Sequence, residues 1–400
     1  MADLRPFAAI RPEPSLTARV IAPPYDVLSL AEASAIAKER LSFVRVTRSE
    51  VDMPPGADSH SDQAYQIARS NLNELIQNGA LVQDDDPHYY FYGQKMGDHF
   101  QLGLLAAASV KEYDSDRIKK HEFTRPDKED DRTHHMEVID VQVGMVFLTY
   151  RQTDDLRTIF HTILQEEPVW TVTTDDAVEH TFYRAPLSMN ARILSAFEKV
   201  PALYIADGHH RCAAASRVHA NRQSQQSAHF LAGVYPDDAL KVMAYNRVVH
   251  DLNGHTPESF LAALEEKFSI STCSDPVPSE GGTFTLYMAG EWRKVTPKAG
   301  VVDHNDPVGR LDVAVLQDNI LSPLLGIKDP RRSTRIDFVG GIRGHQALEK
   351  AVDNGHALAI HCFPTPLDQL FSVADAGEVM PPKSTWFEPK LREGVAIRRL

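Results

Sequence analysis

Residues 204–215 read YIADGHHRCAAA, so that a short apolar run gives way to Asp207, Gly208, His209, His210 and Arg211 before a stretch of small residues. A strand ending at Ala206, a turn at Asp207 and Gly208 and a helix starting near His209 would turn the first backbone N–H groups of that helix outward. Such an end attracts anions, and glycine lets a phosphate approach the backbone closely. Arg211 can offer two parallel donors to phosphate oxygens, His209 or His210 a further one, and Asp207 can hold a Mg2+ that bridges those oxygens. An Asp-Gly pair also serves as an ordinary helix cap and turn. That reading leaves two imidazoles and a guanidinium unexplained in a first turn where positive charge opposes the helix dipole.

A second polar constellation, KKHEFTRPDKEDDRTHH at 119–135, follows a strand-like run. Most of it must be solvated. Within it Glu122, or one of the aspartates, can take a proton from a substrate hydroxyl while Arg132 meets a carboxylate or phosphate, and residue types alone do not choose among the carboxylates. MPPKSTWFEPK at 380–390 has two prolines that stiffen the approach to Lys383, Ser384 and Thr385, a setting for an ammonium and two hydroxyls against phosphate. PPYDV at 23–27 likewise places Asp26 after two prolines, either as a rigid edge or as the wall of a pocket. Zinc fits none of this well. HEFTR is not HExxH, and adjacent histidines on a helix point about 100° apart, so His134–His135 and His209–His210 are not two-ligand faces.

The motif ADGHHR, followed by small residues, resembles the phosphate-binding motif of the ParB and sulfiredoxin superfamily, which includes nucleotide switches and a free serine kinase with a DGHHR-type motif. Together with PPYDV, HEFT followed by DDR, and MPPKSTWFEPKL, the order of segments is similar to that of the bacterial family catalogued as domain of unknown function 1015, from about residue 4 onward. The resemblance implies an α+β fold: a mixed-sheet ParB/sulfiredoxin-like core elaborated by further β-rich and helical segments. It implies a kinase that uses ATP or ADP with Mg2+ and a small hydroxyl acceptor, free L-serine among them. In that scheme Glu122, Asp207, His209 and His210 do the chemistry and Asp207 holds the metal. Gly208, His209, His210, Arg211, Lys383, Ser384 and Thr385 bind phosphate, and Asp26 and Arg132 face the acceptor. A nucleotide-binding switch without rapid turnover and a phosphoester-binding phosphatase remain alternatives. Sulfiredoxin chemistry needs a cysteine inside the motif; here Cys212 follows Arg211, and a packing role is expected.

The elements that must position these residues alternate without a regular dinucleotide-binding series. Ser29 and Glu32 have capping-box spacing ahead of a helix expected over 30–41, and Ile67, Ala68, Leu72, Leu75 and Ile76 line one face of a second helix that Gly79 stops. Strand-like runs follow, including HYYFYGQKM, FQLGLLAAASV, VGMVFLTY and HTFYRA. From residue 188 helices and strands alternate, with ALYIA leading into the motif and AHFLAGVY after it. The division expected is a region 1–185 with the acidic and histidine-rich loop and a region 186–400 with the motif and the PPKST loop, the alternative being one intertwined unit.

Composition narrows the function class. Asp and Glu outnumber Lys and Arg 55 to 42, a formal charge of −13 that repels a nucleic-acid backbone. Three cysteines, at 212, 273 and 362, form no CxxC pair, and no run approaches the roughly 20 apolar residues of a membrane span. A cytoplasmic protein whose partners are a nucleotide and a small hydroxyl substrate is expected, with no nucleic acid and no membrane; the oligomeric state is left open. There is no GxxxxGK[ST], no HRD or DFG and no GxSxG, so any nucleoside triphosphate is held without a Walker loop.

Overall fold

A computed structural model describes residues 2–400. The fold is α+β with mixed sheets, and the chain forms two compact units: one ends at Leu240 and takes back Pro389–Leu400, and the other is Lys241–Glu388. The boundary expected near residue 185 falls inside the first unit. Strands before it, such as Val178–Arg184, and after it, such as Leu203–Asp207, belong to one hydrogen-bonded sheet.

That sheet has nine strands. Its order runs Ile118–Lys119, Leu203–Asp207, Val146–Tyr150, His229–Pro236, His99–Ser109, Tyr90–Met96, Val178–Arg184 and Trp170–Thr173, with Leu4–Arg5 paired onto His99–Ser109. Leu203–Asp207 runs parallel to Ile118–Lys119 and antiparallel to Val146–Tyr150, while His229–Pro236 runs parallel to Val146–Tyr150. The central strands are buried along most of their length and largely apolar, with Gln94, Gln101 and Thr149 as buried polar exceptions. Leu104, Leu148, Ile205, Phe230 and the helical residues Phe197 and Val218 share one buried cluster.

The capping box forms as expected, with Ser29 and Glu32 each closing on the other's backbone, but the helix is Leu30–Ile36 and stops short of residue 41. Glu39 ends it by accepting from the Leu41 N–H and from the Arg19 guanidinium, which holds the chain in a turn. The second expected helix is Asp62–Gln77. The polar run at 119–135 is less solvated than expected. Pro126 opens a helix, Pro126–Ile139, and Asp131, Thr133, His135 and Met136 are buried. The end of the chain returns to this unit: Arg398–Arg399 pairs with Val141–Gln142, and Ala22 and Glu393 exchange two backbone hydrogen bonds of 3.1 and 2.9 Å.

The second unit holds a six-stranded sheet ordered Phe268–Thr272, Glu291–Pro297, Phe284–Met288, Leu358–Cys362, Tyr245–Val249 and Ile336–Gly340, all antiparallel. Phe260, Phe284, Leu286, Leu316, Leu325 and Ile360 fill one of its clusters. Helix Gly344–Asp353 covers Val248 and Ala359 through Leu348. Among the described residues no helix is long and apolar enough to cross a membrane.

Candidate functional site

The apolar strand Leu203–Asp207 ends where Gly208 takes φ +99°, a left-handed conformation that glycine adopts without strain, and the 14-residue helix His209–Arg222 starts at the next residue. The Arg211 and Cys212 N–H groups bond back to the Gly208 carbonyl at 2.9 and 3.0 Å, which closes the first turn. Burial alone would raise the Asp207 carboxyl. Lys390 at 3.2 Å and the Arg211 guanidinium outweigh it and hold Asp207 well below the usual carboxylate range. Its side chain is 32% exposed, so it is an ionised carboxylate that a ligand can reach.

Arg211 donates to the Met145 carbonyl and lies beside Glu393 across Gly144. A Cβ at residue 144 would stand 3.2 Å from Arg211 Cδ and 3.7 Å from Glu393 Oε1, so the glycine leaves room for that approach. Burial raises the Glu393 carboxyl to about 7, the neighbouring Asp26 carboxylate adds to this, and Arg211 and Arg132 oppose it. The Thr47 hydroxyl is near enough to favour the charged form. Hydrogen-bond geometry is not met, however, and neither Thr47 Oγ1 nor Glu393 Oε2 has a partner.

The two histidines of the motif tie down the segment that precedes the helix Pro126–Ile139. His209 is 5% exposed and its Nε2 lies 3.5 Å from the His121 N–H; the two rings stack edge to face, 4.5 Å apart. His210 Nε2 accepts from the Arg125 N–H at 3.1 Å. Burial, reinforced by His121, pushes His209 well below its ordinary value, and burial brings His121 to about 4, so both rings are neutral at pH 7. Glu122 Oε2 lies 3.9 Å from His209 Nδ1, beyond hydrogen-bond length, with its side chain 41% exposed. His121 Nδ1 is buried without a partner.

Arg132 lies over the Tyr25 ring at 4.3 Å and bonds Asp131 at 2.6 Å. Asp131 also accepts from Tyr65 and His60, each at 2.8 Å. A pocket beside this pair is lined by Tyr25, Arg132, His135, Gln142, Gly144, Arg211 and Glu393, with apolar side chains making up the rest. Asp26 is close enough to act on both Arg211 and Glu393.

The first unit thus gathers Asp26, Glu122, Arg132, Asp207, Gly208, His209, His210 and Arg211. Lys383, Ser384 and Thr385 belong to the second unit. There the Lys383 ammonium lies over the Tyr245 ring at 5.4 Å, its carbonyl accepts from Arg247, and the Ser384 hydroxyl donates to the Pro381 carbonyl at 2.5 Å. Cys212 is fully buried, as a packing residue would be. Sequence reasoning missed Lys390, Glu393 and Tyr25 as members of the site. Tyr25 lies inside the quoted PPYDV and Lys390 inside the quoted MPPKSTWFEPK, but neither is singled out by its spacing.

Comparison with known proteins gives the family. The family described as "Protein of unknown function (DUF1015)" matches residues 4–314. The chain belongs to it. The match includes PPYDV, HEFT and DGHHR and stops before MPPKSTWFEPKL. No curated protein matches the sequence. Similar solved structures include SbnI with C-terminal truncation from Staphylococcus aureus, 11% identical with a TM-score of 0.38, covering 72% of this chain and 84% of that one. A free serine kinase in complex with AMP is 12% identical with a TM-score of 0.33, covering 71% and 86%. A conserved hypothetical protein from Pyrococcus furiosus is 12% identical with a TM-score of 0.33, covering 71% and 90%. Likeness at this level assigns neither activity nor ligand to this member of the family.

Proposed function

We propose that this DUF1015 protein is a small-molecule kinase that moves a phosphoryl group from ATP or ADP, with Mg2+, to a hydroxyl acceptor, free L-serine being the acceptor that the DGHHR resemblance implies. The observation that carries the reading is the end of the strand Leu203–Asp207. An ionised, reachable carboxylate stands there between an ammonium and a guanidinium, at the start of a 14-residue helix.

The donor set fits the cofactors. Asp207 is a hard oxygen ligand of the kind Mg2+ takes alongside substrate phosphates, and Asp207 would hold it. The bound ion would draw negative charge from the transferring phosphoryl oxygens. Two buried polar atoms without partners, His121 Nδ1 and Glu393 Oε2, flank the motif and suit a polar ligand. Phosphoryl transfer asks mainly for position and charge neutralisation. Arg211 supplies a planar fork, Lys390 an ammonium that passes from Asp207 to a phosphate oxygen, and the helix start its N–H groups. His209 and His210 act on position: through the His121 and Arg125 N–H groups they hold the loop that carries Glu122, which takes the acceptor's proton. Asp26 and Arg132 wall the acceptor side. Lys383, Ser384 and Thr385 take no part in this scheme.

Phosphorus NMR tests it. The protein is incubated with Mg2+, ATP or ADP, and a panel of small alcohols and amino acids. Acceptor-dependent transfer is expected, reduced at least about 100-fold in Asp207→Asn and in Arg211→Lys with the circular dichroism unchanged. Turnover that survives either change removes that residue from the mechanism. Nucleotide that raises stability by about 2.7 kcal/mol at 100 times its dissociation constant, with no transfer to any acceptor, would replace the kinase by a switch. Phosphate released from phosphoserine without nucleotide would replace it by a phosphatase.

A further inference from the structure

The second unit brings together three side chains that are far apart in sequence. His250 follows the strand Tyr245–Val249, Asp337 lies on the neighbouring strand Ile336–Gly340, and His356 sits in the turn between helix Gly344–Asp353 and strand Leu358–Cys362. Asp337 pairs in register with Val248, and the His250 N–H donates to the Arg335 carbonyl at 3.0 Å, which fixes the backbone beneath the first two. One ligand atom from each of the three residues lies within 4.8 Å of the other two. His250 Nε2 is 2.8 Å from Asp337 Oδ2, and His356 Nε2 is 3.4 Å from the same oxygen.

The orientation of His356 is the informative detail. Its Nδ1 lies 2.9 Å from the Ala351 carbonyl. A carbonyl only accepts, so Nδ1 donates to it and Nε2 is the ring nitrogen turned toward Asp337 Oδ2. A cation held among His356 Nε2, that oxygen and His250 Nε2 would bond all three. Anchoring of the far ring nitrogen by a backbone carbonyl is also how metal-bound histidines are usually oriented.

We infer that His250, Asp337 and His356 form a surface site for a divalent transition-metal ion of the imidazole-preferring class, with Zn2+ as its representative. Two imidazoles and one carboxylate suit Zn2+ and disfavour Mg2+ and Ca2+, which take all-oxygen sets. Zn–N and Zn–O bonds of about 2.0–2.1 Å in a tetrahedron separate ligand atoms by roughly 3.3 Å, which matches the 3.4 Å spacing of His356 and requires the 2.8 Å spacing of His250 to open by about 0.5 Å. The third closes by rotation of side chains that are 45%, 61% and 25% exposed, and water completes the coordination. The nearby Arg335 guanidinium is engaged by Asp251, which offsets its charge. The ion would join two strand ends to the turn after helix Gly344–Asp353. This site is independent of the proposed kinase activity.

The test is calorimetric titration of the metal-stripped full chain with Zn2+, paired with the visible absorption of Co2+ as a reporter of coordination. About one equivalent is expected in the native protein, at least tenfold weaker in His356→Ala and in Asp337→Asn. The metal-free unfolding midpoint should be unchanged in Asp337→Asn, whose side chain is 61% exposed, and should fall only slightly in His356→Ala, which loses the bond to the Ala351 carbonyl. Affinity in the native protein weaker than about 100 μM would overturn the site. Full affinity retained in the double variant His250→Ala/His356→Ala would overturn it as well.

Discussion

Arg132 in the first unit and Arg335 in the second each pair with an aspartate, Arg132 through Asp131 Oδ2 alone and Arg335 through both oxygens of Asp251, and the two pairs differ in surroundings. Arg132 and Asp131 are 12% and 6% exposed, and a tyrosine ring and further hydrogen-bond donors close over them. Arg335 and Asp251 are 32% and 53% exposed. The same contrast holds more widely. At its candidate site the first unit keeps His121 and His209 neutral and Glu393 poised by excluding water, and keeps Asp207 ionised by the Lys390 and Arg211 cations beside it. The second keeps its basic run at 329–335 and its histidine cluster at the surface. Water exclusion converts small geometric changes into large energies, so the first unit is where chemistry and acid sensitivity should both concentrate.

Acid should separate the units most strongly. Burial lowers His121 and His135 to about 4 and His180 to about 3, from an ordinary 6.5, and lowers His209 well below 6.5. Because the folded values lie below the unfolded ones, the stability these groups contribute is present above pH 6.5 and is lost as pH falls toward 4. Each histidine adds a slope of up to about 1.4 kcal/mol per pH unit. Unfolding of each unit can be followed by the reactivity of one buried thiol, Cys212 in the first and Cys362 in the second, during urea titration with a reagent that acts at acid pH. The Cys212 transition should move to lower urea by several kcal/mol between pH 6.5 and 4.5, and the Cys362 transition by less. Equal shifts would break the contrast.

Arg132→Met should cost the first unit about 3 kcal/mol. It leaves the Asp131 carboxylate in a site from which water is largely excluded, with only Tyr65 and His60 to satisfy it. The same thiol assay reads the loss, and a cost below about 1 kcal/mol would show that the pair behaves as a surface one.

How far the sequence discloses this arrangement depends on where the information sits. The turn at Asp207 and Gly208 was legible because an apolar strand breaks into a residue pair that only a turn accommodates, and the cap at Ser29 because its two partners are three residues apart. The helix Pro126–Ile139 was not. Its buried face is Asp131, Thr133, His135 and Met136, so no apolar period marks it, and the run reads as a solvated charge cluster until Tyr65, His60 and Val46 are seen to satisfy it. Lys390 and Glu393 come from the end of the chain, brought to the motif by the Ala22–Glu393 bridge, and His250, Asp337 and His356 come from three separate strands and turns. Residues assembled only by long-range pairing leave no local spacing to read.

Glu393 offers a change with the opposite pH sense. Its folded value near 7 lies above the ordinary 4.5, so its contribution is full below pH 4.5 and is lost as pH rises through 7. In the native protein this runs against the buried histidines and is outnumbered by them between pH 4.5 and 6.5. Glu393→Gln keeps the shape and removes the titration. The difference in stability between variant and native protein should therefore move in the variant's favour by about 2–3 kcal/mol from pH 4.5 to 7.5. A difference that stays flat with pH would mean the carboxyl is already ionised throughout.

The smallest effect belongs to the surface pair and completes the comparison. Arg335→Met removes two charge-assisted bonds to Asp251, yet water solvates the carboxylate that remains, and salt screens what attraction there was. The Arg335 Nη1 bond to the carbonyl of buried Leu325, 3.0 Å, is also lost, a cost of about 1 kcal/mol that salt does not change. The lost ion pair should add no more than about 1 kcal/mol at low salt and less at 0.5 M salt, so the Cys362 transition falls by less than the Arg132→Met cost and part of the fall is screened. If Arg335→Met instead cost as much as Arg132→Met and ignored salt, exposure would not be what separates the two units. The concentration of perturbed groups around Asp207 would then need a cause other than exclusion of water.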